Sequence, residues 1–489
     1  MAMPFRRFIA ITTLAALLSA CSVGPNYRPV GAGALGVPDG YSIPAAPSAQ
    51  DLSRWWTSFD DPELVGIVER ARVGNLDVAQ AVARLRQARE QLIQSRAGLF
   101  PTVNGSAGYN RAFTIAGGTT NFALPDGSIT TVSQGGRGSS FSLGLDASYQ
   151  AGIFGEVRRT IEASRAQQAA SAFDYANVVV SVESEAATNY ITARLAQAQL
   201  ANARASLAIQ DDNLQIARFR VQAGLVSSLD VEQARATRAQ TAATIPQLGQ
   251  QYAQAVARVA VLTGQAPGAL RAELAAVRPI PRAPVGIAAR VPADTLRRRP
   301  DVRAAERTLA AATAQIGVAK AQLYPALAIT GNVQANAANV GNLLQTITGS
   351  VFAGLTQAIF NGGRLRSQVR GAQAAAEGAL AAYRSTVLTG LEDVENALVA
   401  RQTAIERERD FAEAFDAANN SAILSRSQYR SGLTDFTTLN TAEAQLVTAR
   451  NGLAQARGDE ATAAVQLFTA LGGGWDPSVM PQPPITGPH

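Results

Sequence analysis

From Glu156 to Ala223 the chain contains neither a glycine nor a proline. Few folds can hold so long a run without a turn residue. At about 1.5 Å per residue, one continuous helix over it would be about 100 Å long. Leu200, Leu207, Leu214 and Val221 recur every seven residues, and Val179, Ala186 and Ala193 continue the stripe backwards. Leu391, Leu398, Ile405 and Ala412 repeat the pattern later in the chain. Heptad spacing predicts coiled-coil packing, and alanine along the seam lets helices approach closely. A free-standing coiled coil would show the same stripes, but it would not explain the strand-like segments attached to each helix.

Those segments belong to an internal repeat, which has to be recognised before any fold is assigned. The stretch from Asn75 ("NLDVAQAVARLRQ") aligns without a gap with the stretch from Arg299 ("RPDVRAAERTLAA"). Both run to a Leu-aromatic-Pro stop, Leu99-Phe100-Pro101 and Leu323-Tyr324-Pro325. "AGLVSSLDVEQARA" around Gly224 matches "SGLTDFTTLNTAEA" around Gly432, and helices then lead to Gly264 and Gly472. The expected organisation is a signal peptide over 1–20 and an extended segment over 21–60. Repeat 1 covers 61–272, with a β-hairpin at about 101–152 and helices over 156–223 and 229–263. A Pro-rich linker spans 273–294. Repeat 2 covers 295–473, with a hairpin at about 325–360 and helices over 364–431 and 437–471. A Pro-rich tail, 474–489, follows.

Phe141, Leu143, Leu145, Ala147 and Tyr149 alternate with Ser142, Gly144, Asp146, Ser148 and Gln150, and Leu327, Ile329, Gly331 and Val333 form a similar series. Period-two alternation fits either a half-buried soluble sheet or a barrel wall with lipid outside and water inside. The Gly/Thr-rich stretch between the first two strands reads as a long surface loop. Four strands cannot close a barrel, and lipid does not tolerate an open sheet edge. A barrel would therefore need several chains. Two chains give eight strands, whose interior side chains fill; three give twelve, enough for a water-filled duct.

Cys21 is the one cysteine in the sequence, and His489 the one histidine. Arg6 and Arg7, the apolar run Phe8 to Leu18 and small Ser19 and Ala20 precede Cys21, as in a secretory signal peptide. The ending Leu18-Ser19-Ala20-Cys21 reads as a lipobox, so Cys21 is the expected lipidation site. Two or three acyl chains anchor firmly where one binds marginally. With a single Cys and a single terminal His, the usual metal-ligand sets and nucleophile–base pairs are missing. There is no P-loop and no GxSxG elbow. We therefore expect no enzyme, no cofactor and no metal. The net charge of +6 is spread among interleaved acids, which argues against a nucleic-acid surface. An acylated periplasmic scaffold is the rival reading, with an outer-membrane hydrolase a distant third.

At this point the residues resemble a known family, the TolC-like outer-membrane factors, in particular the NodT-type efflux lipoproteins. The resemblance spans the mature chain. Its landmarks are "CSVGPNY" from Cys21, "WWTSFDDPEL" from Trp55, "LRRRPDVRAAE" from Leu296, "QLYPALAITG" from Gln322 and the two turn motifs. Family members often carry Leu-Asp-Ala where this chain has Asn440-Thr441-Ala442. The resemblance implies a homotrimer with a 12-stranded outer-membrane β-barrel continuous with a periplasmic α-helical barrel. It would be the passive exit duct for an RND-type inner-membrane transporter, joined through a periplasmic adaptor. The helix tips would meet the adaptor at Gly224, Leu225, Val226, Ser227, Gly432, Leu433 and Thr434. Asp435, with Arg430 and Arg426 near it, is the expected gate. Trp55 and Trp56 are expected to be packing anchors, and Pro300-Asp301 a helix start.

Overall fold

The computed structural model describes residues 22–43, 52–113, 115, 118–124, 127–134, 138–284, 286–287, 292–476 and 478. The lipidation expected at Cys21 and the signal peptide expected before it lie outside the described residues. Eight helices and six strands are present among those described, in the order α1 (Pro62–Gly74), α2 (Leu76–Ala97), β1 (Thr102–Ala112), β2 (Gly118–Ala123), β3 (Ile129–Gln134), β4 (Gly138–Ala151), α3 (Glu156–Gln222), α4 (Ser228–Leu262), α5 (Pro292–Arg298), α6 (Pro300–Ala321), β5 (Ala326–Ala337), β6 (Ile347–Thr356), α7 (Arg364–Arg430) and α8 (Phe436–Ala470). The glycine- and proline-free run is one helix, α3. Its counterpart α7 keeps three glycines but no proline, and it too is unbroken. The Gly/Thr-rich stretch differs from a plain loop, since β2 and β3 pair there as a small ladder of their own.

Clustering of contacts divides the chain into two compact units. The first comprises the chain up to Arg28, Arg89–Ala166 and Leu309–Gly378. Its centre is an antiparallel sheet in the order β1-β4-β5-β6. Register sorts its large side chains by type, with one exception. Val103 faces Ala147, Gly105 faces Leu145 and Tyr109 faces Phe141. Leu145 in turn faces Val333, and Tyr149 faces Ile329. Gly331 faces Val351 and Leu327 faces Leu355. These residues share one face. The other carries Asn104, Ser142, Asp146, Ser148, Asn332, Gln334 and Ser350, with Phe352 as its large apolar exception. Both faces are largely exposed in the single chain, the apolar one included: Val351 is 83% exposed and Val103 64%. A soluble sheet would bury that face, so the soluble alternative left open by the sequence does not fit.

The second unit holds the helical core. Trp55 and Trp56 are buried, and Trp55 stacks on Phe468 with ring centres 5.7 Å apart. Asp61 caps α1 by accepting from the Glu63 and Leu64 amides, and Pro62 occupies the first helical position, where its missing N–H costs nothing. The two halves of the sequence place matching residues in matching contacts. Gly264 (φ 75°) packs on the backbone of Gly74, and Gly472 (φ 75°) on that of Arg298 and Arg299. The Asn75 amide donates to the Leu262 carbonyl (3.0 Å), as the Arg299 guanidinium does to that of Ala470 (3.3 Å). Arg299 also binds Asp301 (2.7 Å) and Asp393 on α7 (2.8 Å). Pro300 and Asp301 open α6 as the motif suggests. The heptad stripe is buried at Val179, Ala186, Ala193 and Leu214 and at Leu391 and Leu398, but Ile405 is exposed. Among the described residues, the α7 stripe is only partly covered at that level, Ile405 being 42% exposed.

One polar contact between α7 and α8 gives the second unit a pH dependence. Glu460 and Glu408 approach each other, and Arg457 donates to Glu408 (2.9 Å). Arg401 faces Glu460 and Arg282 faces Glu408. Burial first, then the hydrogen bond and charge of Glu408, push the Glu460 carboxyl up to about 7. Its folded value lies above the unfolded one, so its contribution is complete below the ordinary carboxylate range. That contribution fades as pH rises through about 7. Glu460→Gln should therefore raise stability at pH 8 by about 1 kcal/mol, partial exposure screening the rest, and change little at pH 5. Thermal melts of the two proteins at both pH values check it.

Candidate functional site

The turns that reverse each long helix are built alike. After α3, Gly224 takes the left-handed conformation (φ 72°), and the Leu225 amide reaches back to the Arg220 carbonyl at 2.8 Å. After α7, Gly432 does the same (φ 74°), with the Leu433 amide on the Gln428 carbonyl at 2.8 Å. This is the six-residue loop-back that ends helices at glycine, where a Cβ would be strained. Ser227 then caps α4, and Asp435, at the matching position, caps α8 by accepting from the Thr438 amide at 2.7 Å. Leu225 and Leu433 project from the two turns and are exposed.

A small core joins the tips. Leu214, Ala234, Tyr429, Phe436 and Leu439 are buried together, with Tyr429 and Phe436 edge to face at 5.8 Å. The Arg220 guanidinium lies 4.6 Å from the centre of the Tyr429 ring and donates to the Tyr429 carbonyl at 3.2 Å. Burial pushes the Tyr429 phenol up, and Arg220 pulls it partly back.

The residues expected as a gate do not form one cluster within the chain. Arg430 pairs with Asp212 on α3 at 2.7 Å, and Arg426 with Glu443 on α8, its Nε at 2.9 Å. Asp435 is fully exposed and turns its carboxylate to its own helix, where the Thr438 amide holds it below the usual carboxylate range. Arginines within a few residues reach other acids because α3 and α8 run beside α7. Sequence reading missed Asp212, Arg220 and Tyr429. Asp212 is far from Arg430 in sequence, and no local motif could pair them. Among the described residues, no group of three or more His, Cys, Asp or Glu is placed to hold a metal ion. No described helix is long and apolar enough to cross a membrane.

The pattern of outer membrane efflux proteins matches residues 67–265 and 291–473, which together hold both long helix pairs and all of β1 to β6. The chain belongs to the outer membrane efflux protein family. Nodulation protein T of Rhizobium leguminosarum bv. trifolii is 31% identical over 487 residues, covering 96% of this chain and 98% of that protein. The pyoverdine export outer membrane protein OpmQ of Pseudomonas putida is also 31% identical, with 97% and 98% covered. The solved structure of the outer-membrane channel OprN superposes with a TM-score of 0.81 at 33% identity, over 93% of this efflux protein and all of that chain.

Proposed function

We infer that this chain is one subunit of the outer-membrane exit channel of a tripartite efflux system. It conducts solutes passively outward, and an inner-membrane transporter, of the RND type, supplies the energy through a periplasmic adaptor. The observation that carries the reading is the sheet, whose apolar face is exposed on all four strands and whose polar face is small and hydrophilic. Such a sheet suits lipid on one side and water on the other. The outer edges of strands β1 and β6 find no partner among the described residues, and lipid does not tolerate open edges. Three copies supply twelve strands and a water-filled interior, whereas two would give a filled one. Long coiled-coil helices with stripes uncovered in the single chain, such as Ile405, suit a trimeric helical tunnel.

The helix tips are the reading's periplasmic end. Exposed Leu225 and Leu433, with Val226, Ser227 and Thr434 in the same turns, offer the adaptor an apolar contact. Arg430–Asp212 and Arg220–Tyr429 tie α7 to α3 and hold the duct closed. Asp435 shapes this gate through the α8 cap. Cys21, acylated, adds an anchor in the outer membrane. Purified in detergent, the protein should run as a trimer and give single-channel steps in planar bilayers. A monomeric particle without conductance would instead support the acylated-scaffold reading.

A further inference from the structure

The residues directly after Cys21 are held with more specificity than a tether needs. The Val23 amide donates to the Phe154 carbonyl at 3.3 Å. Ser22 lies on Gly155, whose left-handed φ of 84° and missing Cβ leave room for it: a Cβ there would stand 2.7 Å from the Ser22 hydroxyl. Gly24 (φ 104°) meets Gly317 of α6 backbone to backbone, a Cβ on Gly24 falling 2.5 Å from the Gly317 Cα. Arg159, the residue that organises these contacts, is buried to 4% exposure. Its Nε donates to the Val23 carbonyl (3.2 Å), and one terminal nitrogen donates to the Gly24 carbonyl (3.3 Å) and the Asn26 side chain (2.7 Å). The other pairs with Glu162 at 2.7 Å. A planar guanidinium fixes several acceptors at once, which a flexible ammonium does not. Gly317 leaves space for this arginine, since a Cβ there would stand 2.8 Å from its Cδ.

Beside this clasp is a cavity of about 590 Å³, where β4 and β6 give way to helix and β5 begins. Gly152, Phe154, Glu156, Tyr324, Ala358 and Arg364 are among its walls. Phe154 and Tyr324 stack at 4.8 Å. The following Ile359 and Phe360 are almost wholly exposed. Aromatic rings beside polar groups at the end of a lipid-facing sheet mark the depth of lipid headgroups.

We propose that this cavity seats the glyceryl ester head of the diacylglycerol carried by Cys21, and that Arg159 is the residue that positions it. The inference rests on the reading that Cys21 is acylated. The occupant follows from the place of Ser22, the residue covalently joined to Cys21. Ser22 sits on Gly155, between the wall residues Phe154 and Glu156, and Cys21 is one peptide unit away, about 3.8 Å between Cα atoms. The lining fits ester chemistry: the Arg364 guanidinium can donate to ester carbonyls while the aromatic pair covers the first methylenes. The acyl chains then leave along the apolar face of the sheet. The anchor is thus registered to the strands, and the short sequence Ser22-Val23-Gly24-Pro25-Asn26 is a docking motif.

A photo-reactive benzoylphenylalanine at position 358 tests the cavity, with position 344, at the far turn between β5 and β6, as control. Illumination of the intact, membrane-embedded protein followed by chymotrypsin should join position 358, and not 344, to the lipopeptide Cys21–Tyr27. Arg159→Gln should cut that yield at least fivefold and speed native-state cleavage after Tyr27 at least tenfold. Incorporation of a palmitate analogue should stay unchanged. Should Arg159→Gln fail to fold, Asn26→Ala removes a single contact and should move both readouts in the same direction by a smaller factor. Acylated protein that gives no crosslink at 358, or that is cleaved after Tyr27 at the same rate in wild type and variants, overturns the seat and leaves the anchor standing. A mature mass without acyl groups overturns the anchor reading and the seat together.

Discussion

Arg194→Met is expected to destabilise the helical unit by about 3–5 kcal/mol, the range for breaking a buried ion pair from one side. Arg194 is 1% exposed on α3, and its partner Glu63, at the start of α1, is nearly as buried. The same guanidinium donates to the Ala276 carbonyl at 2.8 Å and the Leu274 carbonyl at 3.3 Å, and it lies 5.0 Å from the centre of the Tyr190 ring. Methionine fills much of the volume but takes the arginine from a buried carboxylate and from the Ala276 carbonyl, while the Leu274 carbonyl keeps Gln197 (2.9 Å) and Tyr252 (2.8 Å). Glu63 would keep Tyr190 (3.0 Å) and the more distant Arg278 (3.5 Å), which sets the lower end of the range. The double variant Arg194→Met with Glu63→Leu should recover part of the loss, because an apolar pair has no charge to desolvate. Thermal and denaturant melts of the three variants check it. A single variant that melts with the wild type would mean that the Arg194–Glu63 pair contributes nothing net to folding.

Arg194 also shows where sequence reading stops. A heptad stripe at Val179, Ala186 and Ala193 was legible because the apolar period of a helix is local. The arginine beside Ala193 gave no sign of being inside, since its acid is 131 positions away. "RRRPD" was legible as a helix start from Pro300 and Asp301, yet which of three arginines turns inward is decided by Asp393, on another helix. Strand alternation was read correctly in residue type, and register then placed the large apolar residues of the sheet on one face, Phe352 excepted. The β2–β3 ladder was missed because its Thr- and Gly-rich residues carry no apolar alternation; backbone pairing alone defines it. Asp435 was noticed for its charge, and its first role is geometric. The repeat contained the clue: its counterpart is Ser227, a cap residue with no charge.

That comparison separates two ways in which the tip can control the duct. Arg430–Asp212 is half exposed at both ends, so one such pair is worth at most about 1 kcal/mol. In a trimer the same tie occurs three times around the axis. Removing all three by Arg430→Ala shifts a closed–open equilibrium by up to about 3 kcal/mol, about a hundredfold in open probability. Planar-bilayer recordings should show that rise, and adding Arg220→Ala, which releases the Tyr429 ring and carbonyl, should raise it further. Salt screens exposed pairs, so wild-type open probability should grow with ionic strength, and that of Arg430→Ala should grow much less. For Asp435 the outcome depends on the cap. Asp435→Ala loses it, and should loosen the turn and raise conductance modestly. Asp435→Ser restores in the second turn what Ser227 does in the first, and should conduct like wild type. If Asp435→Ser instead opens the channel as fully as Arg430→Ala, the carboxylate charge itself closes the gate and the cap is incidental.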